Sequence, residues 1–195
     1  MLWMIESNEK EGDNRGDPAT PPPTPQPTWN SDSSNKWKKF KKIKIYIDSP
    51  NFWISSKYAT WGQSWVCDAL HFLLVLVEHT RFWRADPKCD VTADVYGEKE
   101  VDTSLVADAV AGAIGDRDHD METEFVIVSS DRDMLPAVNK IMDCKFRVYV
   151  WSWNWAVSAG YERLHKEHEA RPFDEKLFTL YRLNDFINHF AYRQL

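Results

Sequence analysis

From residue 43 onward, short apolar runs of strand length alternate with longer stretches whose apolar residues recur at helical spacing. The apolar runs predict strands over residues 43–48, 89–98, 124–130, 145–153 and, as a fifth, 176–183. The periodic stretches predict helices over residues 64–80, 101–114, 133–143, 155–170 and 184–192. Strands that alternate with helices indicate βαβ units. The sequence therefore predicts a three-layer α/β/α fold, with a mainly parallel, doubly wound sheet of four to five strands in one domain over residues 43–195.

Local signals mark the starts of several predicted helices. In the first helix, the apolar residues that share one face begin at Trp65. Asp102 stands where an N-cap residue is expected for the second helix, and Asn184 does the same for the last. Pro136 fits the first turn of the third helix, where its missing amide hydrogen is not needed.

The segment before the predicted domain has a different composition. Residues 1–35 hold six of the ten prolines and little apolar content, which predicts a disordered or polyproline-II tail. Residues 36–44 then place six lysines around Trp37 and Phe40. Two interpretations stand side by side. Either this segment binds nucleic-acid phosphates, through lysines such as Lys38 and Lys39, or it is a solvated basic lead-in to the first strand.

The net charge and the spacing of the cysteines exclude several classes of protein. The formal net charge is −6, which argues against a simple basic protein that coats nucleic acid. The three cysteines are scattered without a CxxC pair, which suits a reducing compartment and gives no zinc signature. No apolar run is long enough to cross a membrane, and the acidic start does not resemble a signal peptide. We expect a cytoplasmic protein, with a nuclear location and a homo-oligomer left open.

Acidic residues follow three of the predicted strands. Asp48 ends the first strand, Asp102 and Asp108 follow the second, and Asp131 and Asp133 follow the third. Ligands of open α/β sheets bind beyond the carboxyl ends of the strands, so these acids concentrate at the expected site. Clustered carboxylates favour Mg²⁺ or Mn²⁺, and such metal sites serve phosphodiester hydrolysis. Capping explains Asp102 or Asp131 equally well, whereas Asp48 has no obvious structural purpose.

Aromatic residues near the same edge have two interpretations as well. Trp151, Trp153 and Trp155 share one side of an extended chain, and Phe52-Trp53 stand beside Asp48. Such rings could stack on unpaired bases, although packing in the core or at its rim is the favoured interpretation.

Four motifs occur in a fixed order along the chain. "IYIDSPNFW" supplies Asp48 and Asn51, and "VYGE" ends the second strand. "KEVDTSLVAD" supplies Asp102 and Asp108, and "SSDRDML" supplies Ser129, Asp131 and Asp133. Over roughly residues 43–160, this combination resembles the NYN branch of the PIN-like nuclease superfamily. The resemblance implies a PIN-like fold and a metal-dependent ribonuclease that acts on single-stranded or unpaired RNA.

The resemblance also implies roles for individual residues. Asp48, Asp108, Asp131 and Asp133 would be ligands of Mg²⁺ or Mn²⁺ and water, with Asp102 as an auxiliary acid. Asn51 would orient Asp48 or a phosphate, and Ser129 would bond to the acids or to substrate. The chain departs from the family pattern at Ser49-Pro50, at Met134 and at Arg132, which could contact a phosphate or project into solvent. The alternatives are a non-catalytic RNA-binding or scaffold module, and a phosphatase or DNA nuclease with the same acids.

Overall fold

The first strand, Lys41–Asp48, lies inside the main sheet and alternates between two buried faces. In the computed structural model, which describes residues 41–59, 64–97 and 101–193, Ile43, Ile45 and Ile47 point to one side of the sheet and Tyr46 to the other. Because both faces are covered, nearly every residue in the second half of the strand is apolar. Residues Trp37–Leu195 form one compact unit, and every element below belongs to it.

The remaining elements alternate along the chain much as the sequence predicts. The helices are α1 (Ser49–Ala59), α2 (Ala69–Glu78), α3 (Arg81–Ala85), α4 (Val101–Asp118), α5 (Leu135–Asp143), α6 (Ala159–Glu169) and α7 (Ile187–Phe190). The strands after β1 (Lys41–Asp48) are β2 (Trp65–Cys67), β3 (Asp90–Tyr96), β4 (Glu122–Val128), β5 (Arg147–Ser152), β6 (Phe178–Arg182) and β7 (Ala191–Arg193). One turn of 3-10 helix, Arg132–Met134, leads into α5.

Five strands form the main sheet, in the order β3-β1-β4-β5-β6, and every neighbouring pair is parallel. The chain moves from β1 outward to β3 and then crosses to β4 on the other side of β1. The strand order therefore reverses between β1 and β4, which makes their carboxyl ends the expected ligand site. The predicted parallel α/β fold, including its fifth strand, is confirmed.

Two hydrophobic cores lie on opposite faces of this sheet. Helices α4, α5 and α6 cover one face, with Leu105, Val138 and Tyr161 fully buried. The other face is covered by α1, α2 and α7, whose Phe52, Phe72 and Phe190 pack against Trp151 and Trp153. This arrangement is the predicted three-layer structure.

The region before the second strand of the main sheet differs from the prediction. The helix predicted over residues 64–80 begins only at Ala69, because Trp65–Cys67 forms β2 and pairs with β7 in a short antiparallel sheet. Helix α1 was not predicted at all, since its sequence SPNFWISSKYA has no apolar period.

Two further boundaries differ from those predicted. The helix predicted over residues 184–192 is reduced to Ile187–Phe190, because Ala191–Arg193 is used by β7. Strand β1 begins at Lys41, so the end of the predicted lysine-rich lead-in lies inside the sheet. There the Lys44 Nζ lies 2.7 Å from the Asp116 carboxylate, which neutralises this lysine.

Candidate active site

The carboxyl ends of β1, β3 and β4 meet at the point where the strand order reverses. Asp48 is the last residue of β1 and stands in register with Tyr96, the last residue of β3. On the other side Ile47 pairs with Val128, so that Ser129 leaves β4 beside Asp48. Residues far apart in sequence are thereby brought to one edge, as the sequence predicts.

Asp48 is buried, with only 3% of its surface exposed, and its carboxylate is held from two sides. The Ser129 hydroxyl donates to Oδ2 at 2.8 Å, and the main-chain N–H of Asn51 donates to Oδ1 at 3.1 Å. Since Asp48 directly precedes α1, the second contact is an N-cap. The sequence-based statement that Asp48 lacks a structural purpose is wrong, because the helix that it caps was not predicted.

A chain of hydrogen bonds ties the segment after β4 to helix α1. The Asn51 Oδ1 accepts from the main-chain N–H of Ser130 at 2.9 Å. The Ser129 Oγ accepts from the N–H of Asp131 at 3.1 Å while it donates to Asp48. The Ser152 hydroxyl at the end of β5 donates to the Ser130 Oγ at 2.8 Å. These contacts fix the direction in which the chain enters the acidic turn.

That turn carries the second pair of predicted acids. Asp131 is the N-cap of the 3-10 turn, as one of the two interpretations predicts, and its Oδ1 accepts from the N–H of Asp133 at 2.9 Å. Arg132 and Asp133 are exposed, whereas Met134 is fully buried in the core. Arg132 therefore lies at the surface between the two acids, and Met134 fills the packing position.

Tyr161 on α6 contacts the acidic turn through its hydroxyl. Its hydroxyl donates to the main-chain carbonyl of Asp131 at 2.7 Å. Burial raises the pKa of Tyr161, and the charges of Asp131, Asp48 and Asp133 raise it further. Asp48, Asp131 and Asp133 are therefore the acids whose charges act on the Tyr161 phenol. Sequence reasoning missed Tyr161, because no local pattern ties α6 to a turn 30 residues earlier.

Asp108 is held at the edge of the sheet by a hydrogen bond from Tyr96 of β3. It is exposed on α4, and its Oδ2 accepts from the Tyr96 hydroxyl at 2.8 Å. Burial and the contact with Asp108 raise the pKa of Tyr96. Because Tyr96 stands beside Asp48 in the sheet, Asp108 belongs to the border of the site and not to the acids that act on Tyr161. The sequence marks Tyr96 as the end of a strand but gives no sign of this bond.

The remaining predicted site residues are Asp102, Lys38 and Lys39, whose side chains lie outside the described residues. Helix α4 begins at Val101, so Asp102 is its second residue and not the preceding N-cap. Within residues 41–59, 64–97 and 101–193, no group of three or more His, Cys, Asp or Glu side chains is arranged so that it could hold a metal ion.

The donor atoms at this edge are oxygens of carboxylates, a hydroxyl and a side-chain amide. Such ligands suit Mg²⁺ and Mn²⁺ and disfavour softer metals. Mg²⁺ keeps several waters and commonly uses only one or two carboxylates together with substrate phosphates. The donor chemistry of Asp48, Asp131 and Asp133 therefore fits such an ion.

The place between β1 and β4 where the strand order reverses is the switch point of the sheet. This geometry defines an α/β domain with an acidic site at its switch point. The family model of the NYN domain matches residues 34–164, and the chain belongs to the NYN domain family, a nuclease-type family. This confirms the resemblance seen in the four motifs. Comparisons with curated proteins and with solved structures gave no match. Among the described residues, no helix is long and apolar enough to span a membrane.

Proposed function

We propose that this chain is a Mg²⁺- or Mn²⁺-dependent endoribonuclease that hydrolyses single-stranded or locally unpaired RNA. The observation that carries the proposal is the buried Asp48 carboxylate at the switch point, which accepts from the Ser129 hydroxyl while the Ser129 Oγ accepts from the N–H of Asp131. Burial of an acid among other acids is costly unless a positive charge offsets it, and a divalent cation with a phosphate is the usual solution.

Asp48, Asp131 and Asp133 would hold the metal, with Asp108 at the border of the site. When bound, a divalent ion would supply Lewis acidity and an acidified water for phosphodiester hydrolysis. The protein contributes orientation: Ser129 and the Asn51 N–H fix both oxygens of Asp48, and the cap bond fixes Asp131. The exposed Arg132 is suited to contact the phosphate beside these acids.

Aromatic side chains next to the acids offer a surface for unpaired bases. Trp53, on the second turn of α1, and Trp155, just after β5, are each 44% exposed. The Trp155 Nε1 donates to the Ser55 carbonyl at 3.0 Å, and the Tyr58 ring lies 6.5 Å from the Trp155 ring. Rings that are fixed in place and partly open to solvent can stack on bases of any sequence. This favours unpaired RNA over a paired helix.

The deciding experiment measures cleavage of an end-labelled, unstructured RNA in Mg²⁺ and in Mn²⁺, with DNA of the same sequence for comparison. Asp48→Asn, Asp131→Asn and Asp133→Asn should each lose most of the turnover while the fold is kept. Asparagine caps helices about as well as aspartate, so the first two changes remove charge and keep the cap. Asp90→Asn, at the opposite end of β3, is the matched control and should cleave like the wild type. Cleavage that survives in chelator, or in all three variants, would refute the proposal.

A second candidate function is a non-catalytic RNA-binding module. The observation that favours it is that Asp131 and Asp108 already accept hydrogen bonds within the protein, from the Asp133 N–H and the Tyr96 hydroxyl. In that case the wild type would bind the labelled RNA and leave it intact in both metals. Binding would then depend on Trp53 and Trp155 and would be indifferent to the three Asp→Asn changes.

A further inference from the structure

A cavity of about 390 Å³ lies on one face of the β5–β6 part of the sheet, beneath α3. This volume falls in the range of small-molecule sites. Its floor comes from alternate residues of two strands, Tyr149 of β5 with Thr179 and Tyr181 of β6. The wall comes from the end of α2, from α3 and from the turn before β6.

The lining is positively charged in a chain whose net charge is negative. Arg81, Arg84, Arg147 and Lys176 line the cavity, and none of its lining residues is a carboxylate. Two of the guanidinium groups are fixed by neutral acceptors. Arg147 donates to the main-chain carbonyls of Phe173 and Asp174 at 3.2 and 3.1 Å, and the Arg84 Nε donates to the Glu78 carbonyl at 3.0 Å. A carbonyl orients a guanidinium without cancelling its charge.

Two acids that contact this region, Asp174 and Glu124, do little to neutralise these cations. Asp174 stands 3.7 Å from Arg81, and both side chains are largely exposed, which makes this ion pair weak. Glu124 lies behind the floor, where it accepts from the Phe82 N–H at 2.9 Å and the Tyr149 hydroxyl at 3.0 Å. Burial raises the pKa of Glu124, which works against its charged form. The cavity therefore retains a net positive potential.

Flat aromatic rings accompany the charges. The rings of Tyr149 and Tyr181 are stacked with their centroids 6.4 Å apart along the floor. The guanidinium groups of Arg81 and Arg147 lie 5.4 and 5.5 Å from the centroid of the Phe173 ring at the rim. Guanidinium groups bind phosphate oxygens, and aromatic faces bind the faces of nucleobases.

We propose that this cavity binds a nucleoside monophosphate, with the phosphate at Arg81, Arg84 and Lys176 and the base against the rings of Phe173 and Tyr181. A half-enclosed cavity of this volume suits one nucleotide with a terminal phosphate better than it suits a continuous strand, which needs an open groove at both ends. The site uses none of the acids at the switch point. The inference therefore does not depend on the proposed ribonuclease function.

The test is calorimetric titration of the full chain with 5′-AMP in EDTA, so that the acidic edge holds no metal. We expect one AMP per chain, with adenosine and inorganic phosphate each binding at least about tenfold more weakly because each lacks half of the contacts. No heat of binding at millimolar AMP would overturn the proposal. So would displacement of bound AMP by an RNA oligonucleotide that lacks terminal phosphates and binds more tightly, because the cavity would then be part of a groove for a continuous strand.

Matched variants locate the binding. Arg84→Glu and Arg81→Glu should each weaken AMP binding by about tenfold or more. Arg163→Glu, an identical change of charge at an exposed position of α6, should bind AMP like the wild type. Asp131→Asn should also leave AMP binding unchanged. Circular dichroism and the thermal midpoint show that each variant is folded. Equal AMP affinity in folded Arg84→Glu, Arg81→Glu and wild type would place the binding elsewhere and refute the assignment.

Discussion

At the scale of single residues, Asp48 and Asp131 each combine a structural contact with a position at the acidic edge. Asp48 caps α1 through the Asn51 N–H, and Asp131 caps the 3-10 turn through the Asp133 N–H. Each caps with one oxygen, Oδ1, and the Oδ2 of Asp48 accepts from Ser129. A carboxylate has about four lone-pair directions, so an oxygen that accepts one hydrogen bond can still approach a cation. Capping and metal binding are therefore compatible at the same side chain.

The double contact of Asp48 predicts how its variants differ in stability. Asp48→Ala removes the cap and leaves the buried Ser129 hydroxyl without its acceptor, which should cost about 1–3 kcal/mol of unfolding free energy. Asp48→Asn keeps an acceptor for the cap and should cost clearly less. Urea denaturation of both variants measures the difference. Equal losses in Ala and Asn would show that charge, and not capping, governs the stability at this position.

Glu124 predicts a pH dependence of stability away from the active site. Burial raises its pKa in the folded state above the ordinary value of 4.5, so the folded chain keeps a proton that the unfolded chain has lost. Stability from this group is therefore complete below pH 4.5 and falls as the pH rises toward the folded-state pKa.

Urea titrations over this pH range test the Glu124 prediction. Relative to Glu124→Gln, which carries no titrating proton, the wild type should lose stability as the pH rises. Glu122→Gln, at the start of the same strand, should follow the wild type. If the curves of wild type and Glu124→Gln remain parallel, the shift in the pKa of Glu124 is too small to matter.

At the scale of elements, the sequence predicts the five strands of the main sheet because each carries a local signal of its own, which is alternation in β3 and an apolar run in the others. Helix α1 was not predicted because its buried face is not uniformly apolar. Ser55 and Ser56 are buried there together with Phe52, so the apolar residues show no helical period. Strand β2 was not predicted for another reason. Its partner β7 lies over 120 residues away in the sequence, and only that pairing makes Trp65–Cys67 a strand. Both misses come from contacts that are distant in the chain.

The same limit applies to the candidate site. Asp48, Asn51, Ser129 and Asp131 can be predicted because each lies at the end of a strand that the pattern reveals or within three residues of it. Tyr161 and Ser152 complete the network through α6 and β5, and nothing local in the sequence connects them with the acids. Sequence thus predicts which residues reach the edge, and tertiary structure decides which groups hold them there.

The packing of α1 against the end of β5 predicts different roles for two neighbouring tryptophans. Trp153 is fully buried, and its Nε1 donates to the Phe52 carbonyl at 3.0 Å, so Trp153→Ala should lose about 3–5 kcal/mol of unfolding free energy. Trp155 is 44% exposed, and Trp155→Ala should lose only about 1 kcal/mol, chiefly its bond to Ser55.

RNA binding tests the proposed role of Trp155 separately from its effect on stability. Trp155→Ala should weaken binding of unstructured RNA while its thermal midpoint stays near that of the wild type. Tyr192→Ala, which removes an exposed ring on β7, is the control for loss of an exposed ring. If Trp155→Ala binds RNA as tightly as the wild type does, the aromatic surface has no part in the proposed function.

At the scale of the whole molecule, charges of opposite sign occupy different parts of one sheet. The acids gather at the carboxyl ends of β1, β3 and β4, and the four cations line a face of β5 and β6. Residues 41–195 carry 24 acidic and 19 basic side chains, so the folded part repels RNA overall. Under the proposed function, binding of a polyanion at the acidic edge would therefore require local neutralisation, which would link substrate binding to the metal.

Metal binding should in turn be linked to global stability, because an ion that binds only the folded chain raises the unfolding free energy. At tenfold the dissociation constant the gain is about 1.4 kcal/mol, or roughly 3–5 °C in the thermal midpoint for a chain of this size. We expect Mg²⁺ and Mn²⁺ to raise the midpoint of wild type and Asp90→Asn, and EDTA to reverse the rise. Asp48→Asn and Asp131→Asn should respond much less, since each removes one charge from the acids that act on Tyr161. This readout is independent of RNA cleavage, so it separates a chain that binds metal without turnover from one that binds none. A midpoint that rises equally in all four proteins would mean that the ions act on the general negative charge and not at the switch point.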